Sequence, residues 1–203
     1  MAMRDNKIGI VNYGAGNIFS LTAALDRLGI DHGMIGKPAD FDRYARIIIP
    51  GVGHADAAAR KLRDLGLADH IGSLQKPVLG ICVGMQLLSS FSEEGNAGLL
   101  GIVPMRTLHF QGRIAGKVPH IGWNSISIDK SCPLFRNIDD NSYFYFVHSY
   151  FIEHDPRYTA AACRYGTDFS AAIRHGNFFG VQFHPEKSGP VGERLLLNFF
   201  NYE

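Results

Sequence analysis

Three short apolar segments in the first half of the chain each stop at a glycine-containing turn and hand over to a helix-forming stretch. This alternation restricts the possible folds more than any other feature. Lys7 to Tyr13 runs into a turn at Gly14 to Gly16, after which Ile18, Leu21, Leu25 and Leu28 recur at helical spacing. Gly29 is placed to cap that helix at its C-terminus. A second strand is expected around Ile30 to Ile35, and a third, buried strand over Arg46 to Ile49 stops at Pro50-Gly51-Val52-Gly53. Ala55 to Leu65 has helix-forming composition and ends at Gly66; Pro77 then introduces Val78 to Ile81, a strand running into Cys82. Short apolar strands alternating with helices imply a parallel sheet covered on both faces.

After Leu99 the texture becomes β-rich. Val118 to Ile128, Ser142 to Ile152, Tyr158 to Tyr165 and Phe169 to Phe183 read as strands separated by Gly, Asp, Asn and Pro clusters. Val191 to Phe200 returns to a helical pattern, with Leu195, Leu196 and Phe199 able to pack back on the sheet. With 203 residues, 46% hydrophobic and 19% charged, the chain suits one α/β domain over residues 1–203. Lys+Arg 20 against Asp+Glu 19 leaves a formal charge of +1, so no basic field exists to hold nucleic acid or a membrane surface. No apolar run approaches the ~20 residues that span a bilayer, and no signal-peptide pattern precedes the first strand, so a cytoplasmic location is expected. Cys82, Cys132 and Cys163 lie far apart without a CxxC pair, which argues against a disulfide framework and against a zinc site.

The sharpest chemical feature is Gly80-Ile81-Cys82-Val83-Gly84, a strand end, a cysteine on a tight bend and a helix start. It has the shape of a nucleophile elbow, where only small flanking residues clear the backbone. A helix start favours the thiolate, and the N–H of Val83 would point toward a developing oxyanion. A buried cysteine with glycines for close packing is the other reading of the same residues. A thiolate nucleophile needs an acid and base, and His184 follows an alternating strand in Gly180-Val181-Gln182-Phe183-His184-Pro185-Glu186. Glu186, two residues on, could fix the imidazole tautomer; a surface His-Pro-Glu turn is the alternative.

Gly51 and Val52 lie in a turn whose glycines can aim amides outward, suiting an oxyanion hole, an anion nest or a plain turn. Phe19 stands where the third glycine of GxGxxG would be and no GxxxxGK[ST] occurs, so no nucleotide cofactor is indicated. Cys132 and Cys163 read as structural thiols and His54 as a solvated loop histidine. Phe110 to Gly116, with Arg113, reads as an exposed hairpin or flap over the site.

In their order along the chain, Pro50 to Gly53, Gly80 to Gln86 and His184 to Gly189 resemble the class I, triad-type glutamine amidotransferases. Asn12 to Asn17, Lys117 to Asn124 and Tyr145 to Tyr150 narrow the resemblance to the glutaminase subunits of imidazole glycerol phosphate synthases. It covers almost the whole chain. The resemblance implies a flavodoxin-like domain with a central, mostly parallel sheet flanked by helices. It implies hydrolysis of L-glutamine to glutamate and ammonia through a γ-glutamyl thioester, with neither cofactor nor metal. By that resemblance Cys82 is the nucleophile, His184 the general base and acid, and Glu186 the residue that orients it. Val83 and the Gly51–Val52 segment form the oxyanion hole, the latter after a backbone rearrangement, and Gln86, His148, Ser149 and Tyr150 line the glutamine pocket. Free ammonia protonates in water to a poor nucleophile, and nothing in this chain offers a second active site. The resemblance accordingly implies a barrel-type cyclase subunit that takes ammonia through an internal channel, and Asn12, Trp123, Tyr145 and Lys187 match positions that face this partner. The competing expectations are a glutaminase paired with a sugar-amidating synthase, a stand-alone thiol hydrolase, and a binding module that has lost its chemistry.

Overall fold

The computed structural model describes residues 7–14 and 17–202. The first strand, β1 (Ile8–Val11), is buried at every position and leads to α1 (Ile18–Arg27) and β2 (His32–Ile35). The turn expected at Gly14 to Gly16 lies partly outside the described residues. Asn17 caps α1 by accepting a hydrogen bond from the Ser20 amide, and Leu21, Ala24 and Leu25 face inward. Gly29, at φ 66°, closes the helix: its amide donates to Asp26 and that of Ile30 donates to Leu25, the paired bonds of a Schellman cap. Then come β3 (Arg46–Ile49), α2 (Ala55–Asp64), α3 (Leu67–Gly72), β4 (Val78–Ile81) and the short α4 (Val83–Leu87).

The remaining elements are β5 (Ser89–Ser92), β6 (Ala97–Gly98), β7 (Val103–His109), β8 (His120–Ser125), β9 (Ser127–Ile128), β10 (Tyr143–His148), β11 (Tyr150–Glu153), β12 (Thr159–Tyr165), β13 (Thr167–His175), β14 (Phe178–Val181) and α5 (Gly189–Phe200). The main sheet runs β2-β1-β3-β4-β14-β13-β11-β7-β5-β6, with β12 on β13 and β9 on β12. Its first five strands are all parallel and are followed by the antiparallel β13, β11 and β7. The central sheet is thus the parallel one read from the first half, completed by a strand from the β-rich second half.

Several second-half boundaries differ from expectation. Phe169 to Phe183 is a hairpin, because the chain reverses at Gly176 (φ 58°) between β13 and β14. Val118 to Ile128 is divided between two sheets: among the described residues β8 pairs with β10 alone, in a separate antiparallel ribbon, whereas β9 joins β12. Ser142 to Ile152 likewise splits at Ser149 into β10 and β11. Helix α5 buries Leu195, Leu196 and Phe199 completely, each worth roughly 1.5–3 kcal/mol relative to exposure, and packs on the turn at Pro185–Lys187. No helix among the described residues is long and apolar enough to cross a membrane.

Candidate active site

The parallel strands β1, β3, β4 and β14 all end on one edge of the sheet, the edge where open α/β sheets bind ligands. Cys82 leaves β4 at φ 54° and ψ −111°, a strained conformation for a residue with a side chain. Close packing holds the bend. A Cβ on Gly84 would strike the carbonyl of Ile49, and one on Gly80 would come 2.7 Å from the Met85 amide nitrogen. The Cys82 amide donates to the Val181 carbonyl at 2.8 Å, tying the elbow to β14.

His184 follows β14, three residues past its end. Its Nδ1 lies 2.8 Å from Oε1 of Glu186, and its Nε2 is buried without a hydrogen bond of standard geometry to any described residue. Burial pushes the imidazole pKa down, but the nearby Cys82 sulfur and the Glu186 carboxylate more than offset this and carry it up to about 10. Ser188 Oγ donates to the His184 carbonyl at 2.7 Å and accepts from the Tyr145 amide at 3.0 Å, while the His184 amide donates to the Tyr145 carbonyl at 2.9 Å. Strand β10 therefore fixes the histidine loop.

Cys82 and His184 open into one cavity of about 530 Å³, with Val52, Val83, Gln86, His148, Ser149 and Tyr150 in its wall. Gly51 does not line it. Gly51 packs behind, where a Cβ would come 2.6 Å from the Gly84 amide nitrogen, and Tyr13 Oη donates to the Pro50 carbonyl at 2.7 Å. Gln86 is buried, and its Nε2 donates to the Tyr150 carbonyl (3.0 Å) and to Gln182 Oε1 (3.1 Å). His148 Nδ1 also lies 2.7 Å from the Tyr150 carbonyl, so it donates there; its Nε2 then accepts from His120 Nδ1 at 2.9 Å. Burial lowers the pKa of His148 to about 3 and that of His120 to about 4, so both rings are neutral at pH 7.

Two groups beside the site, one in the cavity wall and one packed behind Cys82, escape the motif reading. Glu94, 8% exposed, contributes a carboxylate to the cavity wall, accepting from the Ala55 amide and pairing with His54 Nδ1 at 3.0 Å. Gln182, fully buried, aims its Nε2 at Cys82 Sγ, 3.7 Å away. Glu94 carries no local signal, since its neighbours are turn residues; Gln182 lies inside the histidine motif but reads there as one more strand position. His54 is solvated as expected, 78% of its side chain being exposed. Phe110, by contrast, is fully buried against Phe151, His148 and Phe169 and belongs to the core. The aromatic ring finds apolar partners on β11 and β13 that are remote in sequence. Arg113 beyond it is held by Glu93 at 2.8 Å.

Cys132 and Cys163 are buried, unpaired thiols; burial raises both pKa values, that of Cys163 to about 12. Asn12 and Lys187 are exposed at the ends of β1 and of the histidine loop. Trp123 is 55% exposed and makes an edge contact with Tyr145, its register partner across the β8–β10 ribbon. Ile121 and Tyr143 add further exposed apolar surface to the ribbon.

The family profile "Glutamine amidotransferase class-I" matches residues 10–202. The chain is 45% identical over 192 residues to the imidazole glycerol phosphate synthase subunit HisH of Pasteurella multocida, covering 95% of this chain and 96% of that one. It is 44% identical over 194 residues to the subunit of the same name from Bacteroides fragilis, covering 95% and 98%. Among solved structures, one described as a glutamine amidotransferase superposes with a TM-score of 0.74 at 18% identity, covering 95% and 96% of the two chains.

Proposed function

Because the chain belongs to the class I glutamine amidotransferase family, we propose that it is the glutaminase subunit of an imidazole glycerol phosphate synthase, releasing ammonia from L-glutamine for a partner subunit. The acceptor reading rests on the names carried by the full-length relatives at 44–45% identity. The chemistry rests on one observation above all: Cys82 and His184 open into the same cavity, with Glu186 2.8 Å behind the imidazole.

In this reading the Cys82 sulfur attacks the side-chain amide carbon of glutamine, and the tetrahedral oxyanion is held by the Val83 N–H and an amide of the Gly51–Val52 segment. Val52 lies in the cavity wall and Gly51 behind it, so a local turn of that peptide would complete the hole. His184 gives its proton to the departing nitrogen, ammonia leaves, and a water deprotonated by His184 then cleaves the thioester to glutamate. Glu186 keeps the proton-bearing Nδ1 pointed away from the sulfur. The Glu94 carboxylate complements the substrate ammonium, and the exposed groups of Ser149 and Tyr150 offer hydrogen bonds to its carboxylate.

A barrel-type cyclase is the proposed recipient of the ammonia, docked over Asn12, Trp123, Tyr145 and Lys187 at the same edge of the fold. The test is glutamate release by the purified chain, alone and with the cyclase subunit and its ribulosyl ligand, with Cys82→Ala as the blank. Strong release only in the complete mixture, lost in the blank, is expected. Release unaffected by the cyclase and its ligand would overturn the acceptor assignment, and release surviving in the blank would overturn the nucleophile.

A further inference from the structure

Cys82 is 4% exposed, so an anionic sulfur there has little water to solvate it and needs protein donors. His184 is one. The second is decided by a chain of hydrogen bonds in which every direction is forced. The Tyr150 carbonyl can only accept, so the side-chain atom of Gln86 that meets it at 3.0 Å is the N–H-bearing Nε2. That nitrogen also lies 3.1 Å from the Gln182 side chain, which must present its oxygen. The amide nitrogen of Gln182 is then the atom left facing Cys82 Sγ at 3.7 Å. Gln182 cannot rotate without placing its own N–H against that of Gln86 in a buried site.

We propose that Gln182 is a positioning residue for the nucleophile, its side-chain N–H holding the anionic sulfur of Cys82 in an orientation set by Gln86 and the Tyr150 carbonyl. The inference rests on the reading of Cys82 as the nucleophile and adds a donor to it. A hydrogen bond to an ionised acceptor is about twice as strong as one between neutral groups, so the contact favours sulfur when it carries charge. During acylation the S–C bond forms as the C–N bond breaks, charge leaves the sulfur and the contact weakens. In the second half-reaction water oxygen bonds to the acyl carbon, its proton passes to His184, and the S–C electron pair returns to sulfur, where the Gln182 N–H receives it. Gln182 thus assists the departure of the thiolate from the thioester.

The experiment is the rate of alkylation of the full chain by iodoacetamide across pH, read by mass spectrometry of the Cys82 peptide, in the wild type and in Gln182→Met. The substitution keeps the side-chain length, and Gln86 retains its bond to the Tyr150 carbonyl. The midpoint of the pH dependence is expected to rise by about one unit in the variant. In the complex with the partner, kcat is expected to fall about tenfold with KM little changed. A purely structural role would lower thermal stability and leave the alkylation midpoint where it was. An unmoved midpoint overturns this inference alone, whereas failure of Cys82 to label in the wild type overturns the nucleophile reading and this inference with it. If Gln182→Met does not fold, the side-chain amide resonance of Gln182 in the wild-type protein decides. It is expected to titrate with the alkylation midpoint, and a resonance flat across that range overturns the proposal.

Discussion

Nδ1 of His184 and Oε1 of Glu186 lie 2.8 Å apart with only 2% and 3% of their side chains exposed, so water competes little for either group. Glu186→Gln preserves the shape but supplies an amide that can turn an N–H toward the ring and favour the wrong tautomer. Glutamate release by the assembled enzyme is expected to fall roughly 10²–10⁴-fold while the chain still unfolds cooperatively. Turnover within threefold of the wild type would contradict the orienting role.

The histidines divide the pH–stability profile into two limbs. His184, raised to about 10 against about 6.5 in an unfolded chain, contributes stability that is complete below pH 6.5 and lost as pH climbs through 10. His120 and His148, lowered to about 4 and 3, act in the opposite sense: below pH 6.5 the unfolded chain takes protons that the folded chain refuses. Calorimetry across pH 4 to 10 is expected to show the melting temperature falling on both sides, with a shallower alkaline limb in His184→Gln and a shallower acid limb in His120→Phe. Limbs unchanged by those substitutions would refute the assignment.

Gly84 packs so closely under the Ile49 carbonyl that a methyl group cannot be added without moving β3 or the elbow. Gly84→Ala is expected to cost about 3 kcal/mol or more of unfolding free energy in denaturant titration and to abolish selective labelling of Cys82. A loss below about 1 kcal/mol would show that the elbow can relax.

In the proposed complex Trp123 and Lys187 face the partner subunit. Trp123→Ala should weaken binding to the cyclase by about 2 kcal/mol, the typical loss for an aromatic anchor, as measured by calorimetric titration. Lys187→Ala should reduce the stimulation produced by the partner's ligand more than it raises KM for glutamine. Equal stimulation in variant and wild type would remove Lys187 from the coupling.

The parallel half of the fold was legible because β1, β3 and β4 are short apolar runs ended by turn residues, a local signal that burial on both faces imposes. The second half was less so. Pairing partners remote in sequence decide whether Val118 to Ile128 is one strand or two, and nothing in those residues announces that β8 will leave the main sheet for β10. The same asymmetry holds at the site. Cys82, His184 and Glu186 stand in compact motifs, whereas Glu94 reaches the cavity only because the β5–β7 region folds beside α2. With nine histidines in the chain, composition could not identify His120 and His148 as the buried, neutral pair.

The strand that carries His184 toward Cys82 is the last of the sheet to be synthesised, yet it sits beside β4 near the middle, with Val181 in register against Ile81. Cys82 and Gln182, in contact across that seam, are 100 positions apart. A chain truncated before β14 would hold the sulfur without the histidine proposed as its acid and base. The cavity wall that Cys82 and His184 share is therefore complete only once the last strand has paired with β4.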